Sequence, residues 1–468
     1  MTEINYPTPL LNPPQRGGLF FPPLLRGLGG VGVIFFRIAF GVMMALSIIR
    51  FWSNGWIEQL YIKPSFFFNY YGFEFVKPLP AEGVYAVFIV MFLAAIFIAL
   101  GLFYKVASVL FFLTFTYVEL IDKTNYLNHY YFISIVALLL CFLPANRKFA
   151  LDIKLGFTKP LQHFPRWTIF ALQLQMAIVY FFAGIAKINH DWLIDAMPLS
   201  IWLPAKINLP IIGSFLNETW VAYLFSWCGM LFDCLIPFFL FWRRTKYVAY
   251  ALVIIFHTLT AILFPAIGIF PFIMMVCAIV FLIPSPNATE IKTIFLKKFF
   301  LAKWLEFSPS FFGKIGMGLF ILHFSFQLLF PFRYALYPGK LFWNEEGYRF
   351  SWRVMLMEKA GMVTFHVKDG DRIIEIRNSD YLTLQQEKQM STQPDMILQF
   401  AHHLASVYKK QGWNSPEVYV ESFVTLNGKG SRPFIRSNLN LAAERDGMKH
   451  KEWILPYNKE TDKLIVKL

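Results

Sequence analysis

Long apolar runs separated by short polar segments dominate the first 333 residues of the chain. Several runs exceed the roughly 18 apolar residues that indicate a membrane-spanning helix. The runs do not alternate, and backbone groups in lipid must be satisfied internally, so the pattern predicts helices. We place about nine spans, at residues 30–50, 83–103, 106–121, 130–146, 168–187, 219–241, 246–264, 267–285 and 315–333.

The pattern changes after residue 333. The stretch GMVTFHVKDGDRIIEIRN (361–378) predicts a hairpin that turns at Asp369 and Gly370. Residues 417–428 and 463–468 have the pattern of strands, and residues 385–412 contain a helix from about residue 393. The predicted fold is a polytopic α-helical membrane protein followed by a small, β-rich α+β domain.

Three regions follow from this pattern. They are an N-terminal cytoplasmic or interfacial segment (1–29), a multi-span membrane domain (30–333) and an extracytoplasmic domain (334–468). The N-terminal segment contains no cleavable signal, because Pro and Gly interrupt its apolar residues.

Composition supports the membrane assignment. Residues are 57% hydrophobic and only 15% charged, whereas soluble domains carry about 25% charged residues. A net charge of +14 would indicate nucleic acid as a partner in a soluble protein; here the positive-inside rule explains it, and we expect none.

Loop charges predict the orientation. One side holds most of the basic residues, and with an odd number of spans this places the N-terminus in the cytoplasm and the C-terminal domain outside. The basic side holds Arg16, Arg26, Lys105, Arg147, Lys148, Lys154, Lys159, Arg166, Arg243, Arg244, Lys246, Lys292, Lys297, Lys298, Lys303 and Lys314. The other side's loops hold Arg50, Lys63, Lys77, Lys123, Lys187 and Lys206.

Cysteine usage predicts buried packing. Cys141, Cys228, Cys234 and Cys277 all lie in apolar runs, and no CxxC pair is present. We therefore expect neither a disulfide framework nor a zinc site. His402 and His403 are adjacent and cannot share one helix face, so no metal site is predicted there either.

Polar groups within or beside the apolar runs are the candidates for chemistry. Lys187 ends a span in AGIAKINHDWL; it is either a lysine that extends to the headgroups or a partly buried amine, whose neutral form desolvation favours. His129 lies in YLNHYY, where a structural role beside an aromatic belt is the alternative. His257 and Asp233 lie inside spans, where polar residues face a partner or a cavity. Two expectations remain open for Asp233: it pairs with a cation across the bundle, or it stays protonated. Asp191 follows Lys187 on the same outer side.

Residue patterns alone leave three functions open. The chain is an enzyme with a site at the outer mouth of an apolar bundle, a membrane carrier or transporter of quinone or lipid, or a membrane-anchored extracytoplasmic domain. Inverted repeats typical of transporters are not evident. Separations of more than about 15 Å between Lys187, His129 and His257 would sharply weaken the enzyme interpretation, because they exceed the span of a typical small-molecule pocket.

An ordered set of segments resembles a known family. The segments are FFRIAFG (35–41), DKTNYLNHYY (122–131), PANRKFALD (144–152), AGIAKINHDWL (183–193), FHTLTAILFPAIGIFPF (256–272) and YRFSW (348–352). Together they look like the vitamin K-dependent gamma-glutamyl carboxylases and their HTTM membrane domain. The short tail and Pro-rich start are similar to those of a bacterial relative, and imply a bacterial inner membrane.

The resemblance implies a reaction and its participants. A naphthohydroquinone, either reduced vitamin K or menaquinol, is oxidised by O2 to its epoxide. The energy released creates a strong base that removes a γ-proton from glutamate, and the resulting carbanion adds CO2. The implied partners are the lipid bilayer and a glutamate-containing peptide or protein; no metal is implied. The short C-terminal region leaves open a quinol epoxidase that does not carboxylate protein.

The resemblance also assigns residues. Lys187 matches the lysine that deprotonates the hydroquinone, and His129 matches a histidine that supports epoxidation. Asn128 and His257 match positions that help to bind or shape the quinone site. Tyr348 and Trp352 match a region near the glutamate substrate, and Asp191 and Asp233 are secondary candidates.

Overall fold

The computed structural model describes residues 31–161, 164, 166–282 and 311–457. The long helices are α1 (Val31–Ser53), α2 (Ala81–Leu100), α3 (Tyr104–Ile121), α4 (Asn128–Phe142), α5 (Arg166–Ala186), α6 (Thr219–Phe241), α7 (Lys246–Leu263), α8 (Phe270–Ala278) and α9 (Phe311–Leu329). One-turn helices occur at Leu151–Lys154, His190–Leu193, Leu199–Trp202 and Leu341–Asn344.

Among the described residues, seven helices are long and apolar enough to cross a membrane. They are Gly32–Ser53, Ala81–Leu100, Tyr104–Ile121, Trp167–Ala186, Thr219–Phe241, Lys246–Leu263 and Gly316–Leu336. The other two predicted spans correspond to shorter apolar helices, Asn128–Phe142 and Phe270–Phe281. The 15 residues of α4 rise only about 22 Å, less than the roughly 30 Å hydrocarbon core. Nine full spans are therefore not confirmed.

Two glycines allow close approach of neighbouring helices. A Cβ at Gly41 in α1 would lie 2.6 Å from the carbonyl oxygen of Ala95 in α2. A Cβ at Gly184 in α5 would lie 2.6 Å from the backbone nitrogen of Cys234 in α6. Small residues bring helix backbones together in membrane proteins. The second contact positions the residues described below.

A four-stranded antiparallel sheet forms the C-terminal domain. Its strands are β1 (Lys359–Asp369), β2 (Arg372–Ile376), β3 (Glu417–Leu426) and β4 (Arg432–Pro433), in the order β2-β1-β3-β4. The predicted hairpin is confirmed, because Asp369 pairs with Arg372 and Gly370 adopts a φ of 60°. The strand predicted at 463–468 lies outside the described residues.

Two helices belong to this domain, and the second of them packs on the sheet. They are α10 (Leu384–Met390), which Thr383 and Gln386 close with a capping box, and α11 (Pro394–Lys410). The rings of Phe365 in β1 and Phe400 in α11 lie 4.9 Å apart in the core. The helix predicted from about residue 393 is thus confirmed.

All four cysteines are free thiols. Cys277 is buried, as the apolar pattern predicts, but Cys141 and Cys234 are only partly buried and Cys228 is exposed. The expectation of buried packing was wrong for Cys228, because an apolar helix face in a membrane protein can point towards lipid.

Candidate functional site

Lys187 follows the last residue of α5 and is buried against α6. Its side chain is 9% exposed, and its Nζ lies 2.5 Å from Oδ2 of Asp233. It also donates to the carbonyl oxygen of Ala183 at 3.2 Å and lies 5.5 Å from the Trp192 ring centroid. Because Gly184 allows α5 and α6 to approach, the lysine meets a carboxylate within the protein instead of extending to the headgroups.

A second polar pair lies two turns earlier on α5. The hydroxyl of Tyr180 and Nε2 of His257 are 2.9 Å apart, and both residues are buried. The Phe232 ring, next to Asp233 in sequence, lies 6.1 Å from Tyr180 and 6.4 Å from His257. The two polar pairs therefore belong to one interface between α5, α6 and α7.

His129 approaches this interface through an aromatic ring. It is the second residue of α4 and is only 4% exposed. Its ring centroid lies 5.7 Å from that of Phe270, and the Phe270 centroid lies 5.9 Å from that of His257. The two imidazoles cannot be further apart than these two distances combined, which is less than about 15 Å. The starts of α4 and α8 thus bring His129 towards His257.

Asn128 binds the segment that follows the last span. Its Nδ2 donates to the carbonyl oxygen of Arg353 at 2.7 Å, and its Oδ1 accepts from the Tyr126 hydroxyl at 3.1 Å. The same hydroxyl accepts from the backbone N–H of Phe350 at 2.7 Å. Asn128 thus holds the 348–353 segment against the first turn of α4.

Trp352 is the residue of this segment that reaches the bundle core. It is fully buried, and its ring stacks on that of Tyr131 with centroids 4.9 Å apart. Its φ of 60° and that of Phe350, 58°, lie in the left-handed region, which is strained for bulky side chains. Such strain persists only where the surroundings fix it, and it concentrates at functional sites.

Two of the buried ring nitrogens that lack a hydrogen-bond partner among the described residues belong to the candidate site: His257 Nδ1 and Trp352 Nε1. Buried polar atoms are nearly always hydrogen-bonded, so each unsatisfied atom calls for an explanation. Both lie among aromatic rings. A flat ligand with polar oxygens would fit these surroundings.

Tyr348 and Asp191 lie elsewhere. Tyr348 packs against Phe342 of the sheet domain, with ring centroids 6.3 Å apart. Asp191 accepts from Lys340 at 2.7 Å and from Asn427 at 2.9 Å. Burial of Asp191 opposes ionisation, but the contact with Lys340 outweighs it and lowers the pKa of the carboxyl below its ordinary value. Asp191 therefore joins the two domains.

Within the part of the chain that the structure describes, one group has a spacing suitable for a metal ion. His190, Asp191 and Asp195 have potential ligand atoms within 4.8 Å of one another. Asp191 is already engaged by Lys340 and Asn427, and His190 is exposed. We therefore assign no metal ion to this group.

The sequence did not reveal an ion triad beside the site. Asp395 of α11 accepts from Lys123 at 2.7 Å and from Arg349 at 2.7 and 3.2 Å. Lys123 precedes α4 and Arg349 precedes Phe350, so the triad joins three segments distant in sequence. The only sequence signal was a lysine beside Asp122 in an otherwise uncharged outer loop. Tyr180 was also missed, although it lies seven residues before Lys187 and so on the same helix face.

Family comparisons cover both halves of the chain. The model of the HTTM domain matches residues 28–285, more than half of the 468. The model of the vitamin K-dependent gamma-carboxylase, lumenal domain, matches residues 313–460. The chain belongs to the vitamin K-dependent gamma-carboxylase family. No solved structure matches it.

Family membership fits the architecture. The gamma-carboxylase domains indicate a carboxylase-type enzyme that depends on vitamin K hydroquinone. The apolar helices and the lumenal-type domain fit a multi-pass membrane protein. The lumenal-domain match includes the 348–353 segment, so Trp352 belongs to the lumenal domain in sequence while packing in the membrane bundle.

Proposed function

We propose that the protein is a naphthohydroquinone-dependent gamma-carboxylase. The hydroquinone, reduced vitamin K or menaquinol, supplies the reducing power: its oxidation by O2 to the epoxide and water is coupled to removal of a glutamate γ-proton and addition of CO2. The observation that carries the proposal is the buried Lys187–Asp233 pair on the same helix interface as Tyr180 and His257. Ionisable residues buried within a membrane-spanning bundle mark functional sites.

Lys187 is the proposed proton acceptor. A carboxylate 2.5 Å away favours the charged ammonium, whereas a base must be unprotonated. We infer that Lys187 must lose a proton before it can accept one from the hydroquinone. Either the contact with Asp233 opens and the ammonium loses its proton, or the ammonium passes its proton to the Asp233 carboxylate. Asp233 thus fixes the position of the amine.

The aromatic residues and histidines are the proposed binding surface. Trp352, Tyr131 and Phe270 supply apolar ring faces, and the unpartnered nitrogens of Trp352 and His257 supply polar contacts. When the Tyr180 hydroxyl donates to Nε2 of His257, the proton of that imidazole lies on Nδ1, which is then a donor. His129 lies on the other side of Phe270 and supports the oxygenation step in this proposal.

The test uses the full chain in detergent with vitamin K hydroquinone, O2, labelled bicarbonate and a short glutamate peptide. Epoxide and fixed label are followed together in wild type and in Lys187→Met. Lys246→Met is the matched control, because Lys246 is a second buried lysine and contacts the Leu282 carbonyl at the opposite end of the bundle.

The expected result is both products in wild type and in Lys246→Met, and neither in Lys187→Met. Epoxide without fixed label in wild type would favour the quinol epoxidase. A wild-type protein that binds the hydroquinone but forms no epoxide would refute an enzyme and favour the carrier.

A further inference from the structure

A cavity of about 500 Å³ lies at the end of the bundle remote from the sheet domain. It is lined by the start of α3 and by the 144–161 loop. Helix α3 ends beside Lys123, which contacts the sheet domain, so its first residue, Tyr104, marks the other end. None of the residues proposed for catalysis lines this cavity.

The polar wall of the cavity is basic. Lys105 donates to the carbonyl oxygens of Cys141 and Leu143 at 2.9 and 3.1 Å, which leaves its third N–H without a partner among the described residues. Arg147 donates from Nη1 to Thr158 at 2.5 Å, and no other side-chain contact of this guanidinium occurs among the described residues. Both cations therefore retain donors for an anion.

The single carboxylate in the wall is already satisfied. Asp152 is 3% exposed and accepts from the backbone N–H groups of Phe103 and Tyr104 and from Asn146, at 2.7 to 3.2 Å. The buried guanidinium of Arg37 lies behind it and interacts with its charge. The net charge presented by the cavity is therefore positive.

Apolar rings adjoin these cations. Phe103 and Phe157 line the cavity, their rings stack with centroids 5.1 Å apart, and they are 50% and 58% exposed. Phe149 nearby is 68% exposed. Exposed aromatic rings beside basic residues at the end of membrane-spanning helices are typical of the headgroup region of a bilayer. A soluble anion would leave these rings uncovered, whereas a lipid covers them with its chains.

We propose that this cavity binds the headgroup of an anionic phospholipid from the leaflet remote from the sheet domain. Arg147 and Lys105 contact the phosphate, and the exposed phenylalanines contact the first acyl carbons. The volume lies within the roughly 300–1,000 Å³ of small-ligand sites.

The test uses the full chain in detergent and short-chain phosphatidylglycerol, with phosphatidylcholine of the same chain length as the neutral comparison. Bound lipids are counted by native mass spectrometry across a titration. Arg147→Gln removes one charge-assisted contact, so the affinity for phosphatidylglycerol should fall at least about tenfold. Arg147→Lys should retain most of it, which separates loss of charge from loss of fold. Lys77 is an exposed lysine at the other end, and its ammonium donates only to Asn69 among the described residues, so Lys77→Gln should bind phosphatidylglycerol as wild type does.

Equal affinity for the two lipids in wild type would overturn the proposal, as would equal losses in Arg147→Gln and Lys77→Gln. Glycerol phosphate and inorganic phosphate are each tested separately for protection of the protein from thermal unfolding. If either protects the protein from thermal unfolding as well as phosphatidylglycerol does, the site serves a soluble anion and the lipid proposal fails.

Discussion

The ion triad of Lys123, Asp395 and Arg349 joins the site to the sheet domain, and Asp395→Asn is the change that tests it. Burial opposes ionisation of Asp395, but Arg349 and Lys123 outweigh it and hold the pKa of the carboxyl well below its usual range. The variant keeps the shape of the side chain and removes the carboxylate that both cations contact directly.

The expected cost follows from this geometry. Removing one partner of a buried ion pair costs about 3–5 kcal/mol. The side chain of Asp395 is 23% exposed while that of Lys123 is 2% exposed, so we expect about 3 kcal/mol, the lower end of that range. Lys123→Met should cost less, because the two contacts between Arg349 and Asp395 remain.

Hydrogen exchange measures this cost locally. A loss of about 3 kcal/mol corresponds to roughly 100-fold faster hydrogen exchange of the α11 amides. This holds when the equilibrium constant for local opening, and not the rate of opening, determines the exchange rate. Asp371→Asn, an exposed aspartate in the β1–β2 turn, is the matched control. Exchange in Asp395→Asn within threefold of that in Asp371→Asn would refute the reasoning.

The triad also predicts a pH dependence. A depressed carboxyl pKa contributes stability that is fully present above the ordinary aspartate value of about 3.9 and is lost as the pH falls through the lower folded value. The exchange difference between wild type and Asp395→Asn should therefore be constant from pH 7 to about 5 and shrink only in stronger acid. A difference that had already disappeared at pH 6 would contradict this assignment.

Three further predictions concern the helix contact, the domain junction and the tryptophan. Gly184→Ala should lower Tm by an amount equivalent to about 1–3 kcal/mol, because its Cβ would lie 2.6 Å from the facing backbone; Gly316→Ala, with open space around it, should not. Asp191→Asn should lower Tm at pH 7. The difference in Tm between wild type and this variant should narrow as the pH falls below the ordinary aspartate range, since contact with Lys340 depresses the pKa of the Asp191 carboxyl. A difference in Tm that does not depend on pH would contradict the role of this ion pair. Trp352→Phe removes an N–H that has no partner among the described residues, so KM for the hydroquinone should rise about tenfold. Tm should fall as well, because the smaller ring leaves a cavity in the core; an unchanged KM would show that Nε1 does not contact the substrate.

The long helices could be predicted from the sequence because the length of a continuous apolar run indicates the length of the helix. The two short helices could not. Residues 130–146 and 267–285 are apolar throughout, yet α4 ends at Phe142 and α8 begins only at Phe270, after Pro265 and Gly268. Apolar composition does not distinguish a helix that crosses a bilayer from a shorter one enclosed by other helices.

The site was predictable one residue at a time but not as an arrangement. Lys187 and Asp233 each stand out as charges beside or within an apolar run, and the pairing of Asp233 with a cation was one of two expectations left open. Their contact depends on Gly184, whose role becomes visible only when α5 meets α6. Asp191, four residues after Lys187, shows the limit of sequence proximity, because a turn directs its side chain towards the sheet domain.

The burial of the 348–353 segment affects the route by which a hydrophobic reactant would reach the site. Trp352 is fully buried over the first turn of α4, and His129 and His257 are 4% and 2% exposed, so these groups have almost no contact with bulk water. A hydrophobic reactant would therefore arrive sideways between helices, from the lipid phase. Its effective concentration is then its mole fraction in the bilayer. Adding inert lipid at a fixed amount of reactant should slow turnover. Diluting the same vesicles with buffer that keeps the peptide, bicarbonate and O2 at their original concentrations should leave the rate per enzyme unchanged.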